Sequence, residues 1–232
     1  MNKKSIFESI KKCLSQNTWF EGIRIIGDQA AINYKIDDTE FTIVVRCQNF
    51  GDTYLFNTNA ITIRRQDLES RFESLLLEEL KKYHSNDFTL SIGAGSLELN
   101  SAVMDFKIES DRDVQNLNKS LELFIKDLRD SIFYRMTNVR EIASYISNYN
   151  YADNLKVLVG GRFPVQNFKK IFLLFEGDQM DKYEEYKQGL LEQIDSFPIR
   201  KPNRKEEARF FVENYDYLIN KLEARDKTKP IA

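Results

Sequence analysis

The stretch Ala30-Ala31-Ile32-Asn33-Tyr34-Lys35-Ile36, then Asp37-Asp38, then Thr39-Glu40-Phe41-Thr42-Ile43-Val44-Val45-Arg46-Cys47 decides the fold class. Ala30, Ile32, Tyr34 and Ile36 recur at every second position, as do Phe41, Ile43, Val45 and Cys47. A period of two sends alternate side chains to opposite faces of a strand. Two such runs around an Asp-Asp spacer predict a hairpin with one apolar face. Upstream, Ile23 and Ile25 alternate after Gly22. Downstream, Asn49-Phe50-Gly51-Asp52 reads as a turn and Tyr54-Leu55-Phe56 as a third or fourth strand. Gly22 to Asn59 is therefore expected to be an antiparallel meander.

On either side the period changes to that of a helix. Ile6, Phe7, Ile10, Cys13 and Leu14 share a face over residues 3–17. Leu68, Phe72, Leu75, Leu76, Leu80 and Tyr83 form a second stripe from Arg64 to Tyr83. Alternation returns in Phe88, Leu90 and Ile92. Gly93-Ala94-Gly95 turns, Leu97 and Leu99 alternate, and Val103 to Ile108 is the return strand. Ser110 is a natural N-cap, with Asp111 and Asp113 in the first turn of the next helix. Leu121, Ile125, Leu128, Ile132, Met136, Val139, Ala143 and Ile146 mark that helix at steps of three and four. Unbroken, its ~35 residues would span roughly 50 Å, and Thr137-Asn138 is its weakest point.

Residues 1–147 thus read as an α+β domain in the order α-β-β-β-α-β-β-α, an antiparallel sheet with flanking helices. Residues 148–232 read as a mostly helical C-terminal subdomain. Leu155 to Val159 is a short strand candidate there, and Gly160-Gly161 a turn. Phe168 to Phe175 favours helix, and Met180 to Ile194 is a helix that Phe197-Pro198 should stop. Asn203 should cap a last helix, with Glu206 completing the cap, and Asp226 to Ala232 should fray.

The order of elements over residues 3–147 resembles that of type III secretion chaperones and of YbjN-type bacterial domains. The segments carrying the resemblance are Ser5 to Leu14, Ala30 to Ile36, Phe41 to Cys47, Asp67 to Tyr83, Phe88 to Ile92, Val103 to Ile108 and Val114 to Ile132. The resemblance covers about 60 per cent of the chain. It implies a non-catalytic, often dimeric module that binds a partner protein on its sheet or helix surface. Such chaperones are usually shorter and more acidic, and the region after residue 148 has no counterpart in them.

Composition removes several chemistries. The 232 residues carry 34 Lys and Arg against 36 Asp and Glu, a balance that argues against binding a polyanion by bulk charge. One histidine and two cysteines leave little from which to build a zinc site or a disulfide framework. The longest uncharged apolar run, Ile171 to Phe175, falls far short of the ~20 residues of a membrane span. The basic start is followed by Glu8, Lys11 and Lys12, so no secretory leader is expected. A reduced, cytoplasmic, bacterial protein without a cofactor is the expectation.

Individual residues are weighed in the same way. His84, at the end of its stripe beside Lys81 and Lys82, reads as a solvated helix end, though any imidazole chemistry must run through it. Cys13 and Cys47 read as buried small hydrophobes. Asp111 and Asp113, with Glu109 near, could hold a metal but are also what a helix start wants. Gly93-Ala94-Gly95-Ser96 and Gly160-Gly161-Arg162 could cradle a phosphate but have no phosphate-loop spacing.

The second half of the long helix outruns a short sheet, so C-terminal helices or another chain must cover it. Ile132, Met136, Val139, Ile146, Tyr149 and Tyr151 are the candidate partner-binding residues. Arg200, Lys201, Arg204 and Lys205 form a basic cluster, with Arg209 close by. The leading expectation is a non-enzymatic protein-binding module, chaperone-like, effector-associated or immunity-like, with a homodimer as one form of its partnership. A carboxylate- and metal-dependent hydrolase or nucleotide-processing enzyme is an alternative. A nucleic-acid-associated defence protein using the basic cluster is another, although nucleic acid is the less favoured partner.

Overall fold

The computed structural model describes residues 2–97, 99, 101 and 103–226. It is an α+β protein: a six-stranded antiparallel sheet with flanking helices and a helical C-terminal part. The elements run α1 (Lys3–Leu14), β1 (Phe20–Ile26), β2 (Gln29–Ile36), β3 (Thr39–Phe50), β4 (Thr53–Arg65), α2 (Gln66–Glu73) and α3 (Glu78–Lys81). They continue with β5 (Leu90–Gly93), β6 (Phe106–Ile108), α4 (Asp111–Leu128), α5 (Tyr134–Met136), α6 (Val139–Ser147), α7 (Val165–Glu176), α8 (Met180–Arg200) and α9 (Lys205–Asp226). The chain forms two compact units that interleave in sequence. One holds Met1–Arg65 and Ser91–Thr137; the other holds Gln66–Leu90 and Asn138–Ala232. The sequence reading places a single boundary after residue 147. The two units instead exchange the chain after Arg65, Leu90 and Thr137.

In the first unit the strand order is β1-β2-β3-β4-β5, with β6 also on β4. Each of the first three hairpins closes with two residues: Gly27-Asp28, Asp37-Asp38 and Gly51-Asp52. The first residue of each turn has positive φ, at 62°, 51° and 72°. Gly and Asp tolerate that region, so the turns are local consequences of sequence. The alternating residues land where their period puts them: Ala30, Ile32, Tyr34, Ile36, Phe41, Ile43, Val45 and Cys47 are all buried on one face. On β4 the register shifts opposite Val44 and Val45, and Asn59 is the extra residue. This bulge lets Thr58 and Ile61, three apart, both face inward. The strand therefore runs on to Arg65, beyond the expected end at Asn59.

Helices α1 and α4 cover the buried face. Phe7 of α1 lies 6.5 Å from Phe56, ring to ring. Both helices begin at reciprocal caps, Asn2 with Ser5 and Ser110 with Asp113. After Leu128 the chain makes a π-helical turn, Arg129–Phe133. The added residue rotates the stripe, so Phe133 rather than Ile132 enters the core and stacks on Phe41 at 4.3 Å. The long helix then breaks at Thr137-Asn138, the expected weak point.

Other segments depart from the expectation. The helix at Arg64 to Tyr83 is two helices, α2 and α3, parted by a turn after Glu73. Residues Ala94–Ser96 are 3₁₀-helical, and neither Leu97 nor Leu99 lies in a strand. The return strand is reduced to Phe106–Ile108, and the expected strand at Leu155 to Val159 is largely replaced by a 3₁₀ segment, Tyr151–Lys156. Pro198 sits inside α8 rather than stopping it. Asn203 lies in a 3₁₀ turn, Pro202–Arg204, so it does not cap α9. The tail expected to fray lies outside the described residues beyond Asp226.

In the second unit α7 packs against α6, α8 and α9. A Cβ at Gly177 would collide with Ala143, so the glycine sets how closely α6 approaches the end of α7. Ile142, Ala143 and Ile146 are buried within this chain. Phe133→Ala should cost about 3–5 kcal/mol, because it empties the ring-sized site against Phe41. Urea unfolding, read as a fall in midpoint at constant slope, checks it.

Candidate functional site

In the first unit β1 forms one end of the sheet order. β1 pairs with β2 along one side, and among the described residues no strand pairs with its other side. Its start is anchored: Lys35 N–H donates to the Trp19 carbonyl, and the Arg129 guanidinium lies 5.4 Å from the Trp19 ring. Gly22 marks an irregularity in the pairing, after which Ile23 to Ile26 run in register with Gln29 to Ile32. Ile25 is 43 % exposed and Ile26 61 %. At the same end of the sheet β2 stops opposite Arg46, so Gln48 to Phe50 of β3 pair only with β4. Phe50 is exposed there too. Unpaired backbone and exposed branched residues occur together on this edge, beside exposed Glu21 and Arg24, the kind of charge with which natural sheets limit indiscriminate edge pairing.

The second unit holds a charge cluster in its core. Glu69 of α2 is 2 % exposed and Lys169 of α7 is 1 %. Lys169 Nζ donates to Glu69 Oε2 at 2.7 Å and to the Ser85 carbonyl at 3.0 Å. Thr89 Oγ1 donates to Glu69 Oε1 at 2.7 Å. The Phe72 ring packs 5.7 Å from the ammonium. Burial pulls the Lys169 pKa down, while Glu69 works against that fall. The neighbouring Lys170 is equally buried and donates to the Asn154 carbonyl at 2.5 Å. Burial lowers its pKa to about 8.

His84 belongs to this cluster, which corrects its reading as a solvated helix end. Its side chain is 6 % exposed, edge-on to Phe72. Nε2 is 3.6 Å from Glu69 Oε2, beyond hydrogen-bond length, and neither ring nitrogen has a hydrogen-bond partner. Burial, then the Lys169 charge, push its pKa down to about 4. The imidazole is therefore neutral at pH 7, and His84 lines a 360 Å³ pocket with Lys82, Asp87 and Arg162. Gly160 is a packing glycine, since a Cβ there would strike the Phe88 and Ser85 carbonyls. Gly161 has φ +116°, which favours glycine.

The remaining candidates divide clearly. Asp113 Oδ2 accepts from the Ser110 N–H at 2.9 Å, the Ser110 hydroxyl at 2.8 Å and the Glu109 N–H at 3.1 Å, so it is occupied in capping. Among the described residues no cluster of three His, Cys, Asp or Glu could hold a metal. Cys47 is buried; Cys13 is half-buried and donates to Glu122 Oε1 at 3.0 Å. Burial and then that hydrogen bond push the Cys13 thiol up to about 12, which denies it a thiolate. Met136 and Ile146 are buried, Ile132, Val139, Tyr149 and Tyr151 half-buried. Lys201 and Lys205 are exposed, and Arg204 pairs with Glu207. Two of the candidates, Tyr151 and Arg200, line the same pocket.

No protein-family model matches the chain, and no curated protein or solved structure is significantly similar to it. The fold and these surfaces therefore define only a class, an α+β protein with an open sheet edge and a helical second unit.

Two expectations follow from the cluster. Unfolded His84 titrates near 6.5 and folded His84 near 4, so between these values the unfolded chain binds more protons. Stability should fall as pH drops through that window, by up to about 3 kcal/mol at its lower end. His84→Phe should flatten this part of the urea-measured pH profile. Lys169→Met, which strands Glu69, should cost about 3–5 kcal/mol, and Glu69→Leu in the same chain should recover most of it; chemical unfolding of both variants measures this.

Proposed function

We propose that the protein is a non-catalytic polypeptide-binding module, and that its first unit takes an extended segment of a partner protein along the outer edge of β1. The observation carrying this reading is that edge: seven residues, unpaired on one side, ending in exposed Ile25 and Ile26. An extended chain is the occupant such an edge accepts, because only a strand continues the ladder of backbone hydrogen bonds. Backbone pairing supplies affinity, and Ile25, Ile26 and Phe50 supply apolar contact for alternate side chains of the guest. The order of elements resembling secretion chaperones supports the same kind of role. Two free cysteines, both away from disulfide chemistry, support a reducing cytoplasmic setting.

The test is an immobilised array of extended heptapeptides with alternating apolar and polar residues, probed with the wild type and with an Ile25→Lys, Ile26→Lys variant. Both residues are already exposed, so the double variant should stay within about 1 kcal/mol of wild-type stability. Wild type should retain a defined set of peptides that the variant loses. Equal binding by both proteins, or by neither, would overturn the reading. Light scattering on the same pair reports the other occupant: a dimer that the lysines dissolve would assign the edge to a second copy of the chain.

A further inference from the structure

A pocket of about 570 Å³ lies within the second unit, among the 3₁₀ segment Tyr151–Lys156, the start of α7, and α8. Its volume falls in the range of small-molecule sites. Its wall is built rather than incidental. Tyr151 rests on Gly189 of α8 so closely that a Cβ there would collide with the ring. The Tyr151 hydroxyl donates to Gln193 Oε1 at 2.5 Å. Asn167 Nδ2 donates to that same Oε1 at 3.2 Å and to the Tyr151 oxygen at 3.3 Å. These bonds fix the amide so that its nitrogen faces the network and its oxygen is left over.

That oxygen is the first observation pointing to a ligand. Asn167 is 2 % exposed and lines the pocket, and Oδ1 has no hydrogen-bond partner. A buried acceptor without a donor is costly. The second observation is charge. Arg200 Nη2 donates to the Gln193 carbonyl at 3.0 Å, which draws the guanidinium back along α8 toward Tyr151. Among the described residues no carboxylate forms an ion pair with Arg200; Glu192, which also lines the pocket, instead accepts from Gln188 Nε2 at 2.9 Å, and the Arg200 charge acts on Tyr151 more strongly than the Glu192 charge does. Guanidinium groups recognise carboxylates and phosphates through paired N–H donors. Phe163 adds an apolar wall, its ring stacked on Phe197 at 5.7 Å.

We propose that this pocket binds a small molecule carrying an amino or hydroxyl donor next to an anionic group, the donor on Asn167 Oδ1 and the anion on Arg200. Amino acids and nucleoside monophosphates share this chemistry. The test is thermal unfolding of the full chain with four sets of probes. Alanine and phenylalanine represent the first source, and adenosine 5′-monophosphate the second. Acetate and methyl phosphate keep the anion without the donor; alaninamide and adenosine keep the donor without the anion.

A probe with both groups should raise the melting temperature by about 5–10 °C at a hundredfold excess over its Kd. Each half-probe should bind at least roughly tenfold more weakly. Arg200 is exposed, so Arg200→Gln should fold as wild type and lose the shift; Asn167→Leu should lose it as well. Binding by the amino acids alone or by the nucleotide alone identifies the source. No shift with any probe would overturn the proposal, and so would a shift that survives Arg200→Gln unchanged. Neither result bears on the β1 edge, which lies in the other unit.

Discussion

The second unit is organised around one interaction, the bond between the Lys169 ammonium and the Glu69 carboxylate in a site closed to water. Two buried charges are tolerated together and intolerable apart. The constraint spreads outward from there. Thr89 must take the second carboxylate oxygen, and Ser85 must turn its carbonyl inward. Gly160 must be bare so that its backbone can pass the same carbonyl. The segment from His84 to Thr89 is thus held as a consequence of electrostatics rather than of any helix or strand of its own. Neutral His84 fits because another positive charge beside Lys169 would be repelled.

The first unit has the opposite logic. There the order is local, and much of it can be read from residue types. Two-residue turns of Gly or Asp, a period of two and reciprocal caps at Asn2 and Ser110 each act over a few residues. The reading fails where one residue is added without a local signal. The bulge at Asn59 carried β4 past its expected end, and the π turn after Leu128 moved the inward position from Ile132 to Phe133. An insertion of one position inverts a strand's faces and rotates a helix's stripe. Neither is visible in a pattern of apolar residues, because the apolar residues themselves, such as Ile132 next to Phe133, can serve either register.

The sites were less legible than the fold, for a related reason. His84 looked like a solvated helix end because the groups that enclose it are remote in sequence, Glu69 3.6 Å away and Lys169 acting through its charge. A signal was present. Residues 165–175 of α7 are apolar almost all round, and a helix of that kind is buried on every side. Lys169 and Lys170 within it therefore had to be buried, and a buried ammonium demands partners. Tyr151 and Arg200 were singled out for separate reasons, an aromatic run and a basic cluster. Both line one pocket because Tyr151 is seated on α8 at Gly189, which nothing in the spacing of either group announces.

The interleaving of the two units has a consequence for how the protein is made. Glu69 and Lys169 are separated by 100 positions, and the chain completes the first unit's α4 between them. A ribosome adding residues at about 5–20 per second leaves the Glu69 carboxylate without its ammonium for about 5–20 s. Throughout that interval α2, α3 and the irregular stretch up to Leu90 have apolar residues and no second unit to enter. The nascent chain must keep this insert in water, and the charges of Glu73, Glu78, Glu79, Lys81 and Lys82, all unburied in the finished fold, are suited to that task.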